Sequence, residues 1–92
     1  MNTCFLIGKI ISDIDFKFIV NNKKYYSIAI FQIGLNNKSI ITLKGYNEIA
    51  DFCYRNLIKS DYINLYGELN SKGEIEILEI YLLWNSIKTD KK

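Results

Sequence analysis

Histidine is absent from this sequence, which removes the commonest general base and the commonest metal ligand together, and cysteine occurs only twice. Ser-His and Cys-His catalysis and most zinc chemistry are thereby excluded, and an enzyme would have to work with carboxylates or lysine. Cys4 and Cys53 lack CxxC spacing and fall in a strand pattern and a helix pattern, so both are expected as core thiols. Proline is also absent and arginine occurs once, at Arg55, a compositional bias that carries no functional argument. No apolar run is long: Ile28 to Ile33 is far too short to cross a bilayer, and Met1 to Cys4 opens into a strand pattern without a basic leader. A cytoplasmic protein without membrane association is expected. Charge of one sign is lacking too, with twelve basic and ten acidic residues giving +2, so only a local gathering of lysines could attract a polyanion. Gly8, Gly45 and Gly67 are isolated and build no phosphate-cradling loop, while Glu74, Glu76 and Glu79 read as a solvated strand rather than an acid–base pair. These absences leave no expectation of an enzyme, a metal, a cofactor or a small-molecule substrate.

What is present is a chain of 92 residues with 49% hydrophobic and 14% aromatic content, enough for one domain with a single core and far from a disordered composition. Thr3 to Ile11 is a β-rich run broken by Gly8, where a strand is expected to curve. Asp15 to Val20 continues extended, Asn21 to Lys24 reads as a hairpin turn, and Tyr25 to Ile33 forms the next strand. Alternation in that strand has Tyr26, Ile28 and Ile30 pointing in and Phe31 pointing out. Gly34 to Lys38 is a short turn into Ser39 to Leu43, where Ile41 and Leu43 point in and turn Thr42, Lys44 and Tyr46 outward. The period then changes: Ile49, Ala50, Cys53 and Leu57 recur at helical spacing, with Asn47 as N-cap and Asp51 four residues before Arg55. Lys59 to Asp61 closes the helix. Tyr62 to Leu69 places Ile63, Leu65 and Leu69 in the core and Tyr62, Asn64, Tyr66 and Glu68 outside. Asn70 to Gly73 turns into Glu74 to Leu83, where a bulge near Leu78 accounts for a shift of phase. The class is all-β with one helix, and three strands, a helix and two strands is the element order of a five-stranded OB-fold barrel with its helix between the third and fourth strands. Residues 1–85 are expected to form the domain and 86–92 a short polar tail.

On this frame, four segments resemble the bacterial single-stranded DNA-binding protein family. They are Asn2 with Leu6-Ile7-Gly8-Lys9; Asp13 to Phe18; Tyr26-Ser27-Ile28-Ala29; and Gly45 to Asp51 followed by Lys59 to Leu69. The resemblance covers Asn2 to about Leu82 and implies an OB-fold, single-stranded DNA as partner without marked sequence preference, a place in DNA replication and repair, and no catalytic step. It also departs from the family: the turns at Gly34 to Lys38 and Asn70 to Gly73 are short, Ile40 stands where an aromatic usually stacks, and Ser60 replaces a glycine. The chain ends on Lys91-Lys92 rather than an acidic-aromatic tip, so a reduced, tail-less member is implied.

Single strands bind along a positive groove with bases stacked on aromatic rings, so lysine and aromatic must share a face. Thr42, Lys44 and Tyr46 meet that condition on the third strand, the alternative for Tyr46 being a hydrophobic staple on the helix. Phe31 either extends the platform or contacts a second subunit, and Tyr66 is a secondary stacking candidate whose neighbour Glu68 repels phosphate. Lys9, Lys17, Lys24 and Lys72 are strand and turn cations able to follow phosphates if they cluster. Low charge and short loops give one protomer few phosphate contacts, so a homodimer or homotetramer is expected. Two other readings stay open: an OB-fold module for protein interaction, like a primosome accessory protein or a paralogue without DNA binding, and binding of RNA.

Overall fold

The computed structural model describes residues 3–84, and the expected polar tail lies outside them. Six strands and one helix follow in the order β1 (Thr3–Ile10), β2 (Asp15–Asn21), β3 (Lys24–Gly34), β4 (Ile40–Tyr46), α1 (Glu48–Asn56), β5 (Tyr62–Leu69) and β6 (Ile75–Trp84). The sheet runs β1-β5-β6-β4-β3-β2, and a further β1–β3 pairing at Lys9↔Gly34 and Ile10↔Ile33 closes β1, β3, β4, β6 and β5 into a barrel. This is the expected five-stranded barrel, with β2 added as a flanking ribbon on β3. At Gly8, just before β1 passes from β5 to β3, a Cβ would come within 2.8 Å of the Gly34 carbonyl oxygen, so only glycine lets the strand curve there.

The β2–β3 hairpin turns at Asn22 and Lys23, both at positive φ, the two-residue geometry that matches strand twist. Between β5 and β6, register shifts from Tyr66↔Glu79 to Gly67↔Ile77, leaving Leu78 unpaired in the bulge expected there. Ile75 and Ile77 before the bulge and Ile80 after it therefore all reach the core.

The core joins Ile10, Ala29, Phe31, Ile33, Leu43, Ile63 and Leu65 from the barrel to Ala50, Cys53 and Leu57 of the helix segment, with Ile49 packed at its margin. Burial raises the Cys53 thiol to about 12, so it stays protonated as a core thiol. Three sequence expectations change. Ala29, Phe31 and Ile33 point inward, which turns Tyr26, Ile28 and Ile30 outward. Leu69 keeps its inward phase but ends β5 beyond the packed interior and is exposed. Asn47 occupies the N-cap position without a side-chain cap; its amide donates to the Ser27 carbonyl and its carbonyl accepts from Asp51.

After α1, the Asp61 carboxylate accepts the Ile58 amide at 2.9 Å, and Ser60 donates its amide to the Ile10 carbonyl at 2.8 Å. Ser60 holds φ at 85°, a conformation that favours glycine. Ser60→Gly is therefore expected to stabilise the domain by about 1 kcal/mol, read as a higher denaturation midpoint.

Candidate nucleic-acid interface

The outward face of β2, β3 and β4 is built from pairs that lie directly opposite each other in register. Tyr46 pairs with Ile28, Lys44 with Ile30 and Thr42 with Gln32; on the other side of β3, Ile28 pairs with Lys17, Tyr26 with Ile19 and Lys24 with Asn21. Opposed residues of antiparallel strands share a face, so Lys17, Lys24 and Lys44 stand on one surface with Tyr26, Tyr46 and Thr42. The Tyr26 and Tyr46 rings are 6.0 Å apart at 53°. Ile28, directly opposite Tyr46 and two residues from Tyr26 on β3, is buried, an apolar floor on an outward face. The Asn47–Ser27 backbone bond at 2.9 Å ties the end of β4 to β3 immediately after Tyr46 and so fixes where its ring emerges. Ile40 opens the same face at 60% exposure, with an aliphatic side chain at its rim.

Charge on this surface is partly cancelled. Lys44 Nζ sits 3.0 Å from Glu74, with both side chains largely covered, whereas Lys17 and Asp15 form a looser, exposed pair at 3.6 Å. Hydrogen bonding to Glu74 raises the Lys44 ammonium above its ordinary value against the opposing effect of desolvation. Glu74 is held below the usual carboxylate range by Asn70 first and Lys44 second, with Lys72 adding a weaker pull from the β5–β6 turn.

The remaining predicted residues fall elsewhere. Phe31 is 2% exposed inside the barrel and has no face to offer a base, which corrects the expectation that it extends the platform. Tyr66 lies on a second outward face, where its ring meets Phe5 at 5.0 Å, and the acidic pair Glu68↔Glu76 separates it from Lys44. Lys9 shares that second face, its Nζ 5.8 Å from the centre of the Tyr62 ring. Phe5, Ile7, Tyr66 and Tyr81 make this β1–β5–β6 surface apolar and exposed. Tyr26 is the residue that strand alternation alone misses. The signal for it is pairing: a strand opposite outward Thr42, Lys44 and Tyr46 must itself present Tyr26, Ile28 and Ile30.

No protein-family model matches the chain, and no curated protein matches it in sequence. In three dimensions it is similar to the single-stranded DNA-binding domain of a Synechococcus protein, at a TM-score of 0.70 and 19% identity over 88% of this chain and 94% of that one. It is similar to the second single-stranded DNA-binding protein of Mycobacterium smegmatis, at 0.70 and 15% identity over 90% and 87%. The dimeric N-terminal domain of PriB from Thermoanaerobacter tencongensis matches at 0.64 and 16% identity over 91% and 98%. The barrel closure, the helix between β4 and β5 and these likenesses together give the chain the OB-fold of bacterial single-stranded DNA-binding domains.

Proposed function

We propose that this protein binds single-stranded DNA without marked sequence preference, stacking bases on Tyr46 and Tyr26 while Lys24 and Lys17 approach the phosphates beside Lys44, which is paired with Glu74. The observation that carries the reading is the convergence of these tyrosines and lysines on one outward face of β2, β3 and β4. A π-face accepts any base, which is why stacking gives affinity with little sequence preference. The structural likeness to proteins described as single-stranded DNA-binding supports the same reading. Binding of this kind has no chemical step, and a role in replication or repair follows from the ligand. Among the described residues no helix is long and apolar enough to cross a membrane.

Self-association belongs to this proposal. Thr3 to Gly8 of β1 pair with β5 on one side, and their other edge faces no strand among the described residues. That edge continues into the apolar surface of Phe5, Ile7, Tyr66 and Tyr81, an area suited to a second copy in a dimer or tetramer. The same surface favours a second reading, in which the module holds a different protein. Titration of labelled oligo-dT and oligo-U at low salt, with sedimentation equilibrium of the same sample, separates the cases. The proposal expects an oligomer whose oligo-dT binding weakens as salt rises. A dominant preference for oligo-U moves the ligand to RNA, and an oligomer that binds neither strand supports the protein-interaction reading.

A further inference from the structure

We infer that Glu74 is a carboxylate latch on Lys44, keeping its ammonium from phosphate and so setting the affinity and salt sensitivity of the interface. The inference rests on the single-strand reading above. Parallel pairing of β4 with β6 sets Leu43 beside Ile75 and Lys44 beside Glu76, and this brings Glu74, one residue before β6, against Lys44. Nζ and Oε1 are 3.0 Å apart and the two side chains are only 17% and 21% exposed. A pair so enclosed gives up its contact less readily than the exposed Lys17–Asp15 pair on the same face.

The carboxylate is aimed by the turn that carries it. Asn70 Nδ2 donates to Glu74 Oε1 at 3.1 Å and to Glu76 Oε2 at 3.2 Å, while Asn70 Oδ1 accepts the amides of Lys72 and Glu74. Gly73, at φ 80°, donates its amide to the Asn70 carbonyl and completes the turn. A phosphate approaching Lys44 therefore meets Glu74 and Glu76 along with it. Lys44 has its counter-charge already built in, so a bound strand gains little counterion release from this lysine.

Glu74→Gln removes the charge and keeps Oε1 as an acceptor for Asn70, so the turn survives while Lys44 loses the Glu74 charge that neutralises it. One additional effective phosphate contact steepens the dependence of log K on log salt by about 0.7 and tightens oligo-dT binding about five- to tenfold at low salt. The experiment is a salt series of oligo-dT anisotropy titrations on wild type, Glu74→Gln, Lys44→Met and the double variant, each checked for folding by thermal melting. The latch expects a steeper slope in Glu74→Gln and a return to the wild-type slope in the double variant, which has no lysine to release. Binding by Glu74→Gln where wild type binds too weakly to measure also supports it. Wild-type binding with an unchanged slope in Glu74→Gln overturns the latch alone, as does an equally steep slope in the double variant. No binding by wild type or by Glu74→Gln overturns the latch and the single-strand reading together.

Discussion

Phe31→Ala is expected to lower the stability of the domain by about 3–5 kcal/mol, a large part of the ~5–15 kcal/mol that holds a domain of this kind folded. The side chain is 2% exposed and packs in a cluster with Ala29, Ile33, Leu43, Ile63 and Leu65. Truncation removes its transfer energy and leaves a cavity that a closed barrel cannot easily collapse. Urea denaturation measures the effect. Phe31→Leu keeps most of the volume, remains folded and is expected to bind oligo-dT as the wild type does. A denaturation midpoint near wild type for Phe31→Ala, or a selective loss of binding in Phe31→Leu, would return this residue to the surface.

Tyr46→Ala and Tyr26→Ala are each expected to weaken oligo-dT binding by about 1–3 kcal/mol, roughly 5- to 150-fold, with Tyr→Phe variants close to wild type. Stacking would use the ring face, so losing the hydroxyl alone is expected to change little. Tyr66→Ala serves as the contrast, because its ring sits with Phe5 on the β1–β5–β6 face, beyond Glu68 and Glu76. Its effect is expected in the oligomeric state. Stacking is expected to outweigh charge at Tyr46, because Lys44, two residues away on β4, is already paired with Glu74. Equal losses in the Tyr46 and Tyr66 variants, or none in Tyr46→Ala, would remove the β2–β3–β4 face as the binding surface.

These two predictions follow the division between what local sequence carries and what it does not. In the sequence alone were legible the five-stranded barrel with its helix, the hairpin turn over Asn21 to Lys24, the bulge at Leu78, the helix packing through Ile49, Cys53 and Leu57, and the outward turn of Thr42, Lys44 and Tyr46. Each of these depends on a period, a turn geometry or an alternation within a few residues. The phase of β3 does not: from Tyr25 to Ile33 both faces are largely apolar, so alternation fits either assignment. Only its pairing with β4 fixed Phe31 inside and Tyr26 beside Tyr46. The tertiary structure likewise decided that Glu74 meets Lys44, since parallel β4–β6 pairing joins residues far apart in the chain. Register between strands is a non-local property, and it chose both the ring beside Tyr46 and the carboxylate paired with its neighbouring lysine.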